Sequence, residues 1–584
     1  MLLLTTLCAT LPAPAAEPLV KLEITPLEPL RFEKRGAVDF ADFGGAAFGN
    51  LQIEFGADPP TAEVKVRLGE KLENDGSIDR APGGSVNFRE IPLSIEPGKR
   101  RYQLQIPTRN RHLDKMAVHT PPEIGEVTPF RYVEIEGAPL ALEKSNVRQL
   151  MVHAPFDDAA SSFQSSDETL NAVWDLCKHT IKATTTFGIY IDGERERIPY
   201  EADAYINQLS HYACDLDPRV ARTSIEHLLQ NPTWPTEWSF HLPMMAAADY
   251  RATGNLRIAR ENWEALKKKL LMQLAREDGL LRAGAIVDWP DGERDGYNGG
   301  VKFPGDRQLG PEYNTAVNAF YYHALREMAL LARALQKDDA ARDFEAKAKQ
   351  VYESFNRVFF DAATGLYTDG QGSAHSSLHA NMFPLAFGLV PAERKAKIAD
   401  FVQSRGMACS VYGAQYLLEG LFDAGKADSA ISLMAARTER SWWHMIELGS
   451  TMTLEAWDAQ FKPNLTWNHP WGAAPANILS RYVLGVRPLQ PGYATILIAP
   501  QPGILKSVRG QVPTAVGPVS VNIENAAVFK LEVELPVNAK ARIVLPRRKN
   551  GLVLMDGKPT ITAATDDSLT VENLSGGKHV FESR

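Results

Sequence analysis

The sequence predicts a multidomain fold in which a barrel of paired helices lies between an N-terminal and a C-terminal β-sandwich. Three stretches with different spacing of apolar residues support this prediction. Apolar residues recur at every second position up to about residue 158, at intervals of three and four to about residue 486, and at every second position again to the C-terminus. A period of two is typical of half-buried strands, and a period near 3.6 is typical of amphipathic helices. A chain of 584 residues is also too long for one hydrophobic core.

Residues 1–16 are predicted to be an export signal, which implies a periplasmic or secreted protein. The segment is short and apolar, and Ala13-Pro14-Ala15 provides the small-x-small pattern of a cleavage site. It is too short to cross a bilayer, and the rest of the sequence contains no run of about twenty apolar residues. The sequence therefore predicts no membrane-spanning segment.

Residues 17–158 are predicted to form a β-sandwich of the jelly-roll type. Apolar and polar residues alternate in 51–55, 64–68 and 102–106, and turn-forming Gly, Pro and Asp separate these segments. Several short alternating strands of this kind favour an all-β domain.

Residues 159–486 are predicted to be helical. One apolar stripe runs from Val317 to Leu335 and a second runs from Phe344 to Phe355. Similar pairs recur along the segment, and about a dozen helices with alternating short and long connections predict hairpins packed in a ring. After residue 485 the period of two returns, so that residues 487–584 are predicted to form a second β-sandwich.

Composition and motifs argue against several classes of protein. The formal net charge is −8 and there is no long basic run, so nucleic acid is not a predicted partner. Signatures of nucleotide, dinucleotide and zinc-protease sites are missing, as is the serine nucleophile elbow, and no cofactor or metal is predicted. The cysteines that remain after cleavage are scattered, which favours buried thiols over a disulfide framework or a metal site. These are Cys177, Cys214 and Cys409.

The densest charged segment is Asp192-Gly193-Glu194-Arg195-Glu196-Arg197. Pro199 suits the first turn of a helix, so this segment is expected to be the loop that enters that helix. Glycoside cleavage requires two carboxyl groups, one that protonates the leaving oxygen and one that activates water or attacks the sugar. Loops at one mouth of a helical barrel can bring such groups together. The alternative is a solvated loop whose charges pair with each other.

Glu455 is the second candidate carboxylate. If a helix begins in this segment, Met452 occupies the position where a capping box requires Ser or Thr, which excludes that role for Glu455. A carboxylate among Leu454, Trp457 and the Trp442-Trp443 pair is costly to bury unless it has a task. Pairing with a nearby arginine is the alternative.

Two aromatic clusters have the composition of sugar-binding platforms. Asp288-Trp289 lies in a loop rich in Gly and Asp, and Trp467-Asn468-His469-Pro470-Trp471 precedes the last helix of the predicted ring. Tryptophan faces stack on the C–H side of sugar rings, while Asp, Asn and His bind hydroxyl groups. Each cluster is alternatively a structural staple of its loop. The acids of residues 288–298 also allow a calcium loop, although their spacing is not that of an EF-hand.

These motifs resemble the bacterial α-L-rhamnosidases of glycoside hydrolase family 78. The similarity follows the family's order and covers about residues 160–525. The segments that carry it are 192–203, Asp288-Trp289, 451–458, Asn468-His469, 481–486 and 492–500. The resemblance implies a six-hairpin (α/α)6 barrel and an inverting hydrolase that removes terminal rhamnose from a glycan or glycoside.

The resemblance also implies site residues, position by position. Glu196 would be the general acid and Glu455 the general base. The residues implied to bind the substrate or shape its pocket are Asp192, Arg197, Tyr200, Asp203, Asp288, Trp289, Trp443 and His469. One alternative is an exo-glycosidase of the same barrel type that acts on another deoxysugar or a uronic acid. Another is a non-catalytic glycan-binding protein. The exact sugar, the linkage and the oligomeric state stay open.

An acid and a base require different surroundings. Glu196 must stay protonated near neutral pH, so we expect it to be buried or close to Asp192, Glu194 and Asp203. Glu455 must stay ionised, so we expect it where water can reach it, beside His469.

Overall fold

The computed structural model of the chain describes residues 20–234, 236–299, 310–548 and 551–584. The predicted export signal, residues 1–16, lies outside the described residues. An antiparallel sheet near the N-terminus is followed by a helical region and by a second sheet at the C-terminus. The predicted order of β, helical and β regions is therefore confirmed.

Eight strands form the N-terminal sheet within the described part of the chain. They are β1 (Glu23–Leu27), β2 (Arg31–Arg35), β3 (Val38–Glu54), β4 (Ala62–Gly69), β5 (Phe88–Ile95), β6 (Arg101–Gln103), β7 (Thr128–Glu136) and β8 (Val147–His153). The order across the sheet is β1-β8-β3-β7-β4-β5, and β2 and β6 pair with β3. Val64 and Val66 lie in one buried cluster with Ile91 and Ile135, because alternate side chains of a strand point to the same face.

The helical region begins after residue 167. Its α-helices are α1 (Glu168–Thr184), α2 (Glu201–Cys214), α3 (Arg219–Gln230), α4 (His241–Thr253), α5 (Arg257–Glu261), α6 (Trp263–Lys268), α7 (Thr315–Ala334), α8 (Asp338–Val358), α9 (Leu378–Ala386), α10 (Ala392–Arg405), α11 (Gly413–Asp423), α12 (Ala427–Met434), α13 (Trp442–Glu447) and α14 (Ala474–Ile478). A π-helical turn, Leu479–Val483, continues α14. Side-chain caps fix two of the starts: Asp167 accepts from the N–H of Leu170, and Asn314 accepts from that of Val317.

Helices α2, α4, α7, α9, α11 and α14 form an inner ring. Each of them contacts the next in this order, and α14 contacts α2. Burial separates inner from outer helices: α7 is buried on nearly all sides, whereas α8 buries a single stripe that includes Phe344, Val351 and Phe355. A helix buried all round lies inside a domain, and a helix with one apolar stripe covers its surface. The two predicted stripes therefore belong to an inner helix and to the outer helix paired with it.

Three short strands lie among the helices or just before them: β9 (Ser162–Ser165), β10 (Phe360–Asp361) and β11 (Leu366–Tyr367). The C-terminal strands are β12 (Val486–Gln490), β13 (Thr495–Ile498), β14 (Ser507–Val512), β15 (Val519–Asn525), β16 (Phe529–Pro546), β17 (Val553–Met555), β18 (Lys558–Pro559), β19 (Ala563–Ala564) and β20 (Ser568–Ser583). Their sheet has the order β18-β17-β20-β16-β15-β14-β9, with β12, β13 and β19 off this path. The strand just before α1 thus joins the C-terminal sheet, and one hydrophobic core spans the helices and this sheet.

Three further features bear on the sequence analysis. Cys177, Cys214 and Cys409 are buried and unpaired, as expected for buried thiols. None of the described helices has both the length and the apolar character that crossing a bilayer requires. In the described residues, no group of three or more His, Cys, Asp and Glu side chains is arranged to hold a metal ion.

Candidate active site

A pocket of about 170 Å³ lies at one end of the inner ring, where the chain enters several of its helices. Its lining comes from the segments before α2, α4, α7 and α14 and from the first turn of α2. The lining residues are Asp192, Arg195, Glu196, Tyr200, Asp203, Trp234, Trp238, Ile286, Trp289, Glu455, His469 and Trp471. Seven of the ten site residues expected from the sequence are among them, including both glutamates, although the two lie far apart in the chain.

The loop formed by residues 192–197 is tightly turned. The N–H of Arg197 donates to the carbonyl of Gly193 over 2.9 Å, and Arg197 has a left-handed conformation with a φ of 56°. Gly193 favours close approach, because a Cβ atom there would lie 3.1 Å from both the carbonyl and the amide oxygens of Asn468, and Asn468 would have to shift by a few tenths of an ångström. Asp192, Arg195 and Glu196 line the pocket, whereas Glu194 and Arg197 contact His112 and Glu126, so the opposite face of the loop lies against the N-terminal domain.

Arg195 lies between the two glutamates. Its Nη1 and Nη2 donate to Oε2 and Oε1 of Glu455 over 2.9 and 2.8 Å, and its Nε donates to Oε1 of Glu196 over 3.3 Å. A bidentate pair between guanidinium and carboxylate is strong and directional. Burial alone lowers the pKa of Arg195, but the charges of Glu455 and Glu196 raise it overall. One permanently charged group thus holds both carboxylates and keeps them apart.

Glu455 is buried beside two cations. Its side chain is 2% exposed, and Nζ of Lys462 lies 3.3 Å from its Oε1. The N–H of Thr466 donates to its Oε2 over 3.2 Å. Burial lowers the pKa of Lys462, whereas the negative charge of Glu455 acts in the opposite direction. The charge of the Glu455 carboxylate is therefore balanced within the protein, although water was expected to reach it.

Glu196 has a more open position than expected. Its side chain is 36% exposed, and the hydroxyl of Tyr200 donates to its Oε2 over 2.9 Å. Of the three acids expected around it, Asp192 and Asp203 line the same pocket. Glu194 instead pairs with an arginine on the opposite face of the loop.

Two further acids of the pocket are buried. Burial, followed by the negative charge of Glu196, raises the pKa of Asp192 well above its usual range. Burial raises the pKa of Asp203 in the same way and lowers the pKa of His469 to about 3. Oδ1 of Asp203 lies 2.8 Å from Nε2 of His469, and burial disfavours the charged form of both groups. The partner of His469 is thus Asp203 and not Glu455, the neighbour expected from the sequence.

Aromatic rings form much of the remaining wall. The ring centroids of Trp234 and Trp238 are 5.9 Å apart, and Tyr200 lies 5.9 Å from Trp238. Trp289 also lines the pocket. Nε1 of Trp238 and Oδ2 of Asp192 are buried and make no hydrogen bond to any described residue. Buried polar atoms normally have partners, so both are available to a ligand that carries hydroxyl groups.

Arg197 does not line the pocket. Its Nε donates to Oε2 of Glu194 over 2.9 Å, its Nη1 to Oε1 of Glu126 over 2.6 Å, and its Nη2 to the carbonyl of Val127 over 2.7 Å. Carboxylates on the N-terminal side of the loop attract the guanidinium, which is 1% exposed. Its position does not support the substrate contact expected from the sequence.

Asp288 and Trp443 also lie away from the pocket lining. Asp288 is buried and accepts from Nε2 of His379 and from the N–H of Ser410 over 2.8 and 2.9 Å. These contacts fit the alternative interpretation, in which Asp288 stabilises the conformation of its loop. Its neighbour Trp289 lines the pocket. Trp443 is half-buried on α13, where the guanidinium of Arg437 lies 3.9 Å from its ring centroid.

Five lining residues were given no individual role from the sequence: Arg195, Trp234, Trp238, Ile286 and Trp471. Arg195 and Trp471 lie inside the motifs that were considered. The two tryptophans before α4 carry the signal that identified Trp289, namely aromatic residues in a segment that enters a helix. An aliphatic side chain such as Ile286 gives no functional signal in a single sequence.

Two protein families match the chain. Residues 158–483, more than half of the chain, match the bacterial alpha-L-rhamnosidase 6 hairpin glycosidase domain. Residues 485–558 match the bacterial alpha-L-rhamnosidase C-terminal domain.

Individual relatives agree with the family matches. The chain is 26% identical to an alpha-L-rhamnosidase of Formosa agariphila over 537 residues, which are 85% of this chain and 54% of that protein. It is 23% identical to one of Streptomyces avermitilis over 582 residues, with 94% and 52% covered. The chain therefore spans about half the length of these curated relatives.

Solved structures show a similar fold. The alpha-L-rhamnosidase of Dictyoglumus thermophilum superimposes with a TM-score of 0.78 at 18% identity, over 96% of this chain and 63% of that one. The Streptomyces avermitilis enzyme, solved in complex with L-rhamnose, has a TM-score of 0.77 at 19% identity, over 96% and 54%.

Proposed function

The chain belongs to the bacterial α-L-rhamnosidase family of six-hairpin glycosidases, and from this premise we propose that it hydrolyses terminal α-L-rhamnose from glycans or glycosides. One observation carries the proposal: Arg195 holds Glu196 and Glu455 at one small pocket walled by aromatic rings. Glycoside hydrolysis requires two carboxyl groups at one sugar. A volume of about 170 Å³ suits a single terminal sugar ring, which supports exo-action.

We assign the general acid to Glu196 and the general base to Glu455. Glu196 is the more exposed of the two, which suits a group that must meet the leaving part of the substrate. It would give its proton to the glycosidic oxygen as the bond between that oxygen and the anomeric carbon breaks. Glu455 would take a proton from the water that attacks the anomeric carbon on the opposite face, and bulk water would then restore both groups.

Attack from the opposite face inverts the anomeric configuration. Inverting enzymes hold their carboxyl groups roughly 6.5–9.5 Å apart, which leaves room for the attacking water. The guanidinium of Arg195 between the two carboxylates supports a separation of this kind.

The remaining polar and aromatic groups would bind the sugar. Asp192 and the pair of Asp203 and His469, whose charged forms burial disfavours, can exchange hydrogen bonds with hydroxyl groups. Nε1 of Trp238 adds a donor, and the ring of Trp289 provides an apolar face.

The finer architecture and the location are part of the same proposal. We assign the ring of helices to the (α/α)6 type, within residues 159–486, and the flanking sheets to β-sandwiches of residues 17–158 and 487–584. The N-terminal sandwich would be of the jelly-roll type. Residues 1–16 would be an export signal that directs the protein to the periplasm or the medium.

The test is hydrolysis of a panel of 4-nitrophenyl glycosides by the purified chain, with NMR detection of the first anomer released. We expect turnover of the α-L-rhamnoside and initial release of β-L-rhamnose. Faster turnover of another deoxysugar or of a glucuronide would reassign the substrate, and initial release of the α-anomer would refute inversion. Binding of L-rhamnose without turnover of any glycoside would instead indicate a non-catalytic glycan-binding protein.

A further inference from the structure

The N-terminal sheet domain contacts the two loops that carry much of the site. We call residues 192–197 loop A and residues 464–469 loop B. Nε2 of His112 lies 2.7 Å from the carbonyl oxygen of Glu194 in loop A. The N–H of Ser85 donates to a carbonyl of loop B over 2.9 Å. Both loops therefore rest on the same domain, on the side away from the pocket.

Asn468 joins the two loops to each other and to that domain. Its Nδ2 donates to Oε1 of Glu70, which directly follows β4, over 3.0 Å. Its Oδ1 accepts from the N–H of Glu194 over 2.8 Å. All three residues are buried. One side-chain amide from loop B thus bridges the N-terminal domain and the backbone of loop A.

The bridge depends on the acceptor character of Glu70. Its second oxygen, Oε2, accepts from the N–H of Asn87 over 2.7 Å, so both of its oxygens face donors. This fixes the orientation of the Asn468 amide, because only its NH₂ end can face Glu70 and only its oxygen can then face loop A. Burial raises the pKa of Glu70 to about 7, whereas the hydrogen bonds from Asn468 and Asn87 act in the opposite direction and favour the ionised carboxylate, which only accepts.

We propose that Glu70 is a positioning residue of the active site, which fixes the Asn468 amide and thereby the relative position of loops A and B. Loop A carries Glu196, and loop B carries His469, so the N-terminal domain is an integral part of the catalytic unit. The inference rests on the proposed function. A displacement of about 1 Å at a catalytic group can lower turnover about a hundredfold, so a remote contact of this kind is able to control kcat.

The first variant is Glu70→Gln, which keeps size and shape. Its amide has one acceptor and one donor end but still faces two donors, so one of the two contacts is lost in either orientation. At pH 8.5, where Glu70 with its pKa of about 7 is ionised, we expect kcat for the aryl α-L-rhamnoside to fall between about tenfold and a hundredfold, with KM changed by less than about threefold.

The matched control is Glu134→Gln. Glu134 is also a buried glutamate of the N-terminal sheet, and its Oε1 accepts from the N–H of Ile78 over 2.9 Å, within the same domain. It contacts neither loop through the bonds described, so kcat should stay within about twofold of the wild type even if the unfolding temperature falls.

A second substitution should rescue the first. In the double variant Glu70→Gln with Asn468→Asp, the glutamine NH₂ donates to one oxygen of the carboxylate introduced at position 468. The other oxygen of that carboxylate accepts from loop A, and the glutamine oxygen accepts from Asn87. We expect the double variant to regain at least about tenfold in kcat over Glu70→Gln. Asn468→Asp alone should be impaired, because its carboxylate would face that of Glu70.

Hydrogen–deuterium exchange of the peptide that contains loop A gives a readout independent of turnover. Glu70→Gln should accelerate exchange of this peptide, whereas Glu134→Gln should not. If the wild type turns over no glycoside, the proposed function fails, and the exchange result still decides the positioning role. A folded Glu70→Gln protein with wild-type kcat and wild-type exchange would overturn the inference, as would equal losses in Glu70→Gln and Glu134→Gln.

Discussion

Replacement of Glu196 by Gln should slow hydrolysis in proportion to how much the leaving group needs a proton. General acid catalysis contributes typically about 10²–10⁴-fold, equal to about 3–5 kcal/mol. We therefore expect kcat/KM for a natural rhamnoside with an alcohol leaving group to fall about a thousandfold. A dinitrophenolate departs without protonation, so the loss for the dinitrophenyl rhamnoside should be less than about tenfold.

Local contacts are too weak to produce the same pattern. The side chain of Glu196 is 36% exposed and contacts Nε of Arg195 and the hydroxyl of Tyr200. Glutamine keeps one acceptor oxygen, so the loss of the other contact costs about 1 kcal/mol, or about fivefold in rate, for every substrate alike. Only the loss of the acid distinguishes the two leaving groups.

The assay compares kcat/KM of the wild type and of the Glu196→Gln variant on both substrates, with Glu455→Gln as the contrasting variant. Every substrate needs the activated water, so Glu455→Gln should impair both by about the same factor. Azide should partly restore turnover in a Glu455→Ala variant, where the truncated side chain leaves room for it. Equal losses on the two substrates in Glu196→Gln would refute its assignment as the acid. A variant of either glutamate with near-normal activity on the natural rhamnoside would show that the assignment of that residue is wrong.

Three further predictions follow from the geometry. Trp443→Ala should leave kcat/KM within about twofold, because the ring lies under Arg437 and not in the pocket; a loss above tenfold would place it in the site after all. Carboxylate catalysis of this kind needs no metal, so turnover should be the same with and without EDTA, and a loss restored by Ca²⁺ would point to the loop of residues 288–298. The pKa of Glu70 is raised from about 4.5 in the unfolded chain to about 7 in the folded protein. Its titration therefore adds most to the free energy of unfolding below pH 4.5, and this added stability is lost as the pH rises through about 7. The free energy of unfolding of the wild type relative to Glu70→Gln should thus fall by about 3 kcal/mol between pH 4.5 and 7.5, as measured by urea titration; a constant difference would contradict the raised pKa.

The spacing of apolar residues predicted the β and helical regions, because the side chains buried in each helix or strand are mostly apolar. The stripes of α7 and α8 could be read from the sequence, since each helix must bury an apolar surface. The pairing of β9 with β14 could not, because a four-residue strand far from its partner has no local signal. The closure of the inner ring also depends on contacts between helices that are distant in the chain.

The charged motif of residues 192–197 predicted two carboxylates that line the candidate site. It did not predict the position of an arginine that several carboxylates can bind. Asp192 and Glu196 line the pocket as expected, but Arg197 of the same loop turns away toward Glu126 and Glu194. Sequence spacing alone cannot show which carboxylate an arginine will pair with when one of the candidate acids lies about seventy positions earlier, in another domain. The pairing of Arg195 with Glu455 was not predictable for the complementary reason, since the two residues become neighbours only in the folded chain.

The charges of the pocket favour an uncharged deoxysugar over a uronic acid. Arg195 and Lys462 both contact Glu455, and Arg195 also contacts Glu196, so each cation already has a carboxylate partner. His469 adds no charge, because burial lowers its pKa to about 3.

A uronate carboxylate would therefore enter beside Glu196 and Glu455 without an uncommitted cation among the described lining residues, and burial of an unpaired carboxylate costs several kcal/mol. The methyl group that rhamnose carries in place of that carboxylate has no such cost and can lie against the aromatic wall. We expect kcat/KM for the α-L-rhamnoside to exceed that for the glucuronide by at least about a hundredfold, equal to about 3 kcal/mol. Comparable values for the two glycosides would show that a cation of the pocket is released when substrate binds.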